Sequence, residues 1–408
     1  MLITLFKIQT LFDNHESRLK LRAGLRPLCL IILFSGYLPL SATIHHVGPG
    51  QAYASVVQAA AVTVPGDTIM IHAGNYSGGL SIVNLQGNRV NWLYIISAPS
   101  ETVTFTGGIN SWHMTDAAYV QIKGLIFQQQ TGNALNVDDG GSYSTPSHHI
   151  VFESCIFRDI KATGNNDLLK MSGVDFFEIK NCTFLNGAAG GSGIDLVGCH
   201  EGSITGNRFE NQGSNSIQAK GGSKNIRIEG NLFKNGGQRT LNLGGSTNLQ
   251  LFRPLDARYE AAGLTVYSNI IIGSDAPIAY VGCVDSEVIN NTIYLPRKWV
   301  IRILQETVDT ARFYPCGNNS FENNIVYHDS RVSSDCNVGP HTNPSSFRFS
   351  NNLWYHTQNR VWAGPSLPTP DVNCIIGKDP LFNNAASDDF TLRKSSPATG
   401  KGYIRVKK

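Results

Sequence analysis

The sequence predicts an all-β chain wound as a parallel β-solenoid of about nine or more coils. Three observations carry that expectation. A six-residue apolar-to-apolar segment recurs nine times at near-regular spacing, an asparagine recurs at one fixed place inside it, and the stretches between copies are rich in glycine and asparagine with no helical period. One such segment cannot bury its own face, so the copies must stack.

The chain opens with residues 1–42, which read as an export signal. Arg18, Lys20, Arg22 and Arg26 precede the apolar run 27–40, and the small residues Ser41 and Ala42 follow. The run is short for a membrane span, and a single N-terminal anchor is the other reading. The residues ahead of Arg18 are unusual for a signal and point to a start further downstream. The formal charge of +3 falls to zero once this segment is removed, because it holds five basic and two acidic residues. The mature chain therefore has no bulk basic character. Nucleic acid gets no support as a partner, and affinity for a polyanion must come from a local cluster.

Residues 53–62 (YASVVQAAAV) predict a short capping helix, followed by the turn Pro65-Gly66-Asp67 and a strand over 68–72. The repeat then runs 122–127 (IKGLIF), 152–157 (FESCIF), 179–184 (IKNCTF), 204–209 (ITGNRF) and 228–233 (IEGNLF). It continues over 266–271, 288–293, 321–326 and 349–354. Its fourth position reads Leu125, Cys155, Cys182, Asn207, Asn231, Asn269, Asn291, Asn324, Asn352. Six stacked asparagines would bridge successive coils and satisfy buried corner backbone, a structural role rather than a catalytic one. Residues 379–382, 389–392 and 396–398 are expected to close the last turns.

Seven cysteines follow the signal, an odd number with no metal-like spacing. Cys316 and Cys336 are the pair placed to form a disulfide. His148 and His149 are adjacent, so on a regular strand their side chains diverge and no metal is assigned to them.

The strand after each repeat reads 169–171 (LKM), 194–196 (IDL), 217–219 (IQA) and 241–243 (LNL). The flanking apolar residues should point in and the middle ones out. Lys170, Asp195, Gln218 and Asn242 then form one exterior row. Lys220 lies just past it, before Gly221-Gly222. Arg239 lies just ahead, after Gly236-Gly237, at the place held by Asp167 and Asn215 on earlier coils. The insertion 246–262 (STNLQLFRPLDARYEAA) lengthens one turn beside this face, and loops of that kind shape binding sites. Arg253, Arg258, Tyr259 and Glu260 are its polar members. Arg302 and Glu306 project from another long turn, and Tyr259, Tyr280 and Trp299 could stack on sugar rings. Structural Arg253–Glu260 and Arg302–Glu306 ion pairs are the alternative for those charges.

The opening "VGPGQAYASVVQAA…VPGDTIMIHAGNYSG" and the closing "DPLFNNAASDDFTLRKSSPATGKG" resemble secreted right-handed parallel β-helix proteins of the pectate-lyase-like superfamily. That resemblance implies a single-stranded right-handed parallel β-helix over residues 43–408, closed by a segment from about 376 to 408. The superfamily carries lyases, hydrolases, epimerases and non-catalytic modules. The chain spacing of Lys220 and Arg239 is similar to the Lys/Arg pair of chondroitinase-B-like and alginate-lyase enzymes. Gly244 stands where those enzymes place the arginine.

The resemblance implies an exported lyase that cleaves a uronic-acid polysaccharide by β-elimination. Such a reaction needs a base for the C5 proton and positive charge for the anion that forms. Lys220 and Arg239 are the catalytic candidates. Asp195, Asn215, Gln218, Asn242, Arg253, Tyr259, Glu260 and Arg302 are the substrate-binding candidates. No residue is assigned to a metal. Calcium stays open through Asp138-Asp139 with Asp167 and Asp195, turn capping being the other reading of the paired aspartates. The expected partner is an acidic polysaccharide, met by a monomer that is secreted, periplasmic or at the cell surface, with no membrane contact after signal removal. A glycan-binding module without activity, a glycoside hydrolase using Asp167 and Asp195, and an epimerase are the alternatives.

Overall fold

Residues 42–405 are described in a computed structural model. All but the last residue of the expected export signal lies outside them. Each coil contributes three short strands, one to each of three long sheets of 16, 12 and 10 strands. Neighbouring strands pair in parallel and in register, as in Phe157 with Phe184 and Phe184 with Phe209. This is the parallel solenoid the repeat predicts.

The repeat has a physical cause. Its third position bends the chain from the first sheet into the second with a left-handed backbone, and Asn181, Gly206, Gly230, Ser268, Asn290, Asn323 and Asn351 all have φ between 53° and 64°. Glycine and asparagine tolerate that conformation best. The next residue points inward at the corner and forms the ladder. Asn207, Asn231, Asn269, Asn291 and Asn324 each donate Nδ2–H to Oδ1 of the following asparagine, over 2.9–3.2 Å. The same Oδ1 accepts a backbone N–H, as Asn231 does for Asn207 at 2.9 Å. The sixth position fills the core. Phe127, Phe157, Phe184, Phe209 and Phe233 stack with centroids 4.6–5.2 Å apart. Each is fully buried, worth about 1.5–3 kcal/mol apiece.

The capping helix is Val56–Ala60, with Ser55 accepting from Gln58 N–H at its start. It is shorter than the apolar stretch suggested. The closing segment does more than cover the last turns. The antiparallel strands Phe382–Asn384 and Asp389–Leu392 fold onto the outer face of the second sheet, against Tyr294, Tyr327 and Tyr355. The chain beyond them runs back until Ile404 N–H meets Ser268 Oγ at 2.9 Å. All seven described cysteines are thiols, so the Cys316–Cys336 pairing is not formed. His148 and His149 do not diverge, because His149 takes φ 54° and turns its ring back. Their Nδ1 atoms stand 2.9 Å apart. No helix among the described residues is long and apolar enough to cross a membrane.

Candidate functional site

The third sheet carries the site. Register aligns Asn136, Lys170, Asp195, Gln218 and Asn242 on successive coils. The row continues through Ala279 to Arg302 and Asn337. It is the exterior row the sequence predicts, and it is longer at both ends. Strands in a sheet lie about 4.8 Å apart, so each coil offers one polar position per step. Asn215 pairs with Arg239 in the neighbouring row, also as expected.

Charge organises its centre. Asp195 points outward yet is 2% exposed, because two lysines close over it. Lys170 Nζ donates to Asp195 Oδ2. Lys220 Nζ stands 3.5 Å from Oδ1, an atom with no hydrogen bond of its own. A buried carboxylate left without those cations would be costly. Asp167 is also 2% exposed; its Oδ1 accepts Ser192 N–H at 2.8 Å, and Lys170 Nζ lies 3.6 Å from its Oδ2. Burial, with Asp195 beside it, pushes the Asp167 carboxyl up to about 6. The two aspartates hold Lys170 above the usual lysine range, against the opposing pull of burial. These aspartates therefore support the lysines from below and are shut off from a ligand in the cleft. Asp167 and Asp195 are thus not an open carboxylate pair of the kind a hydrolase uses.

Lys220 stands where two hollows meet. One, of about 640 Å³, is lined by Asn136, Asp138, Tyr143, Lys170, Lys220 and Thr247 among others. The other, of about 310 Å³, is lined by Asn215, Gln218, Lys220, Arg239, Asn242 and Glu306 among others. Together they make one cleft along the third sheet, and both catalytic candidates border its second part. Arg239 donates to Glu306 Oε1 at 2.7 Å and to Asn242 Oδ1 at 3.3 Å. The position in register with Lys220 on the next coil is Gly244. Its φ is 105°, and a Cβ there would sit 1.8 Å from Val281 O. No side chain fits, so Arg239 is the cation that this coil offers. A Cβ on Gly245 would meet only the side chains of Gln218 and Lys220, at 2.5 and 3.2 Å.

The insertion roofs the cleft, but several of its expected ligands are buried. Glu260 is fully buried and accepts Gly221 N–H at 2.8 Å, Thr247 N–H at 2.9 Å, Thr247 Oγ1–H at 2.7 Å and the Thr307 hydroxyl. It pins the peptide after Lys220 to both long loops. Arg253 is 6% exposed and pairs with Asp175, its Nη1 2.9 Å from Oδ1, while His200 Nδ1 meets the same Oδ1 at 2.8 Å. The Arg253–Glu260 and Arg302–Glu306 pairs are thus not the ones formed. Arg302 instead stacks on Trp299 at 4.3 Å and donates to Asn337 at 3.0 Å. Tyr259 is half-buried and borders neither hollow. Tyr280 is fully buried with its hydroxyl donating to Ser320 O at 2.9 Å, so it cannot stack on a sugar. Its position falls on the inward side of its strand, where alternation places it.

Sequence reasoning missed the far end of the cleft. His113 Nε2 meets Asp138 Oδ2, and Asn136 donates to the same oxygen at 2.9 Å. Tyr143 bridges to the insertion by donating to Gln250 O at 2.6 Å. The row register could have found His113, one coil ahead of Asn136; nothing in the sequence joins positions 143 and 250. As for calcium, Asp138 Oδ1 caps Gly140 N–H and Asp139 Oδ1 caps Gly141 N–H. Among the described residues no group of three or more carboxylate, imidazole or thiol ligands surrounds a common point. Asp167 and Asp195 are held by lysines.

A family model described as "Right handed beta helix region" matches residues 107–293, which includes the coils of Lys220 and Arg239. None of the curated proteins matches the sequence. Among solved structures, the chain is similar to pectate lyase Pel9A, at 15% identity and a TM-score of 0.52 over 87% of this chain and 88% of that one. It is also similar to an alginate lyase from Paenibacillus sp. str. FPU-7, at 15% identity and 0.48 over 82% and 99%. A rhamnogalacturonan lyase is similar at 11% identity and 0.48 over 89% and 95%. Likeness at these identities is likeness of fold.

Proposed function

We propose that this right-handed parallel β-helix of pectate-lyase-like fold is a polysaccharide lyase, cleaving a uronic-acid polymer by β-elimination in the cleft of its third sheet. The observation that carries this reading is the pairing of Lys220 and Arg239 on consecutive coils around one open hollow. A uronate bound there would set its C6 carboxylate on the Arg239 guanidinium, which matches a carboxylate fork to fork. That contact draws off charge as the C5–H bond breaks. Lys220 is the base that takes the C5 proton. The electron pair left on C5 forms the C4–C5 double bond, the C4–O bond breaks, and the leaving oxygen takes a proton from solvent. Lys220 ends as an ammonium 3.5 Å from Asp195, a carboxylate already in place to receive it. Gln218, half-buried in the central row beside Lys220, can hold a ring hydroxyl, while Asn242 is buried and steadies Arg239. Pel9A is named a pectate lyase, and the same broad chemistry is expected here with a polymer still to be identified.

The test is near-ultraviolet absorbance from unsaturated uronate ends, on a panel of polyuronates and glycosaminoglycans with and without calcium. Wild type should raise the absorbance on at least one polymer, and Lys220→Ala should lose about a hundredfold or more of that rate. A rate untouched in Lys220→Ala removes Lys220 as the base. Polymer retained by the protein with no absorbance on any substrate makes the chain a glycan-binding module instead.

A further inference from the structure

Arg239 and Arg302 lie near enough for their charges to oppose one another, and one carboxylate, Glu306, acts on both. Arg239 Nη2 donates to Glu306 Oε1 at 2.7 Å. Arg302, two coils on from Asn242 in the central row, is held by Asn337 and by the face of Trp299. Lys298 covers the same indole at 4.2 Å, adding a third cation. Burial first, then the charge of Arg239, pull Arg302 below the usual guanidinium range, with Glu306 opposing. The central-row residue between Asn242 and Arg302 is Ala279, which is small and fully buried. Glu306 reaches Arg239 from the far end of its strand turn. Its side chain is about a third exposed. Its neighbour Thr307 is the residue tied down, through Glu260.

We propose that Glu306 is a built-in stand-in for the substrate's anion: in the free protein it occupies the guanidinium of Arg239 at the edge of the hollow, and an acidic group of the polysaccharide displaces it there, within the field of Arg302. The inference rests on the reading of the cleft as a site for an acidic polymer. It gives the loop after Leu304 a selective role. A neutral glycan cannot exchange with Glu306 and leaves the Arg239–Glu306 pair shut. A carboxylate or a sulfate ester can replace it, because either brings oxygens that accept two parallel N–H bonds from the Arg239 guanidinium.

The experiment is calorimetric titration of Lys220→Ala protein, in which cleavage is suppressed, with an oligouronate, a sulfated oligosaccharide and the carboxyl-reduced neutral counterpart. Glu306→Gln is added to the same background, and Arg302→Gln separately. Glu306→Gln should bind the acidic oligomer about threefold tighter, the loss of one partly exposed ion pair, and should leave the neutral one unchanged. Arg302→Gln should weaken only the acidic oligomer. The acidic probe that responds to both variants identifies carboxylate or sulfate as the group recognised. Acidic oligomer that binds equally or more weakly to Glu306→Gln overturns the displacement while leaving the cleft reading intact. No acidic oligomer bound by any variant overturns both.

Discussion

Asp195 is the residue on which the cleft depends. It sits in the exterior row by register, yet Lys170 and Lys220 cover it so fully that it cannot be the substrate ligand the row position suggests. Its role is to anchor cations. Glu260 and Arg253 follow the same pattern: polar side chains of the roofing loop that turn inward to hold that loop. A different single residue carries the acid sensitivity of the last coils. His328 is 2% exposed, and neither ring nitrogen has a hydrogen-bond partner. Asp335 lies 4.0 Å away, Asp329 is adjacent in the chain, and His356 and Trp362 pack on the ring with centroids 4.9 and 4.8 Å from it. Burial, then the neighbouring His356, lower its pKa from 6.5 to about 4. Between those values the unfolded chain binds a proton that the folded chain refuses. Stability from this group is therefore full above about 6.5 and is lost as pH falls toward 4, by about 3 kcal/mol in all. Urea unfolding at pH 7 and pH 4.5 should show His328→Phe losing roughly 2 kcal/mol less than wild type over that interval. Equal losses would mean His328 is not the group that titrates.

At the scale of elements, the corner and its ladder hold consecutive coils together. Asn269 donates to Asn291 Oδ1 and to Ile228 O, both at 2.9 Å, and accepts Asn231 N–H at 2.9 Å. Asn269→Ala leaves the buried Asn231 N–H and Ile228 O of the preceding coil without this partner, at about 1–3 kcal/mol each, while Asn291 Oδ1 keeps the backbone N–H of residue 269. A loss of about 3 kcal/mol or more is expected by denaturant unfolding, with faster amide exchange confined to the coils around residue 269. A loss below 1 kcal/mol would show that water replaces the ladder. This element was legible in sequence because it is periodic: the spacing of Asn207 to Asn352 alone predicts the stack. The toe of the ladder was legible too, where Cys155 N–H meets Cys182 Sγ at 3.4 Å in place of an amide. The loops were not. Arg239 finds Glu306 67 residues away, and Tyr143 finds Gln250 107 residues away, contacts no local pattern encodes. The paired histidines escaped for a local reason, since one left-handed residue at His149 breaks the strand alternation on which their divergence depended.

Taken whole, the molecule separates support from function by face. The closing segment lies along the second sheet, whereas the insertion and the loop after Leu304 overhang the third and leave a cleft between. Repetition makes that plan readable from sequence, because each coil copies the last and register carries Lys170, Gln218, Asn242 and Arg302 to one line. It does not reveal which outward residues stay open, since that depends on side chains folding over one another between coils. The central claim is that this cleft eliminates rather than hydrolyses. It is tested most directly by digesting a responsive polyuronate in water enriched in heavy oxygen and reading the new ends by mass spectrometry. Elimination takes no oxygen from solvent, so the account predicts unsaturated non-reducing ends and no label incorporated by the cleavage itself, after correction for exchange at reducing ends. Label built into the products beyond that exchange, with saturated ends, would mean that water attacks the glycosidic bond and would contradict the roles given to Lys220 and Arg239.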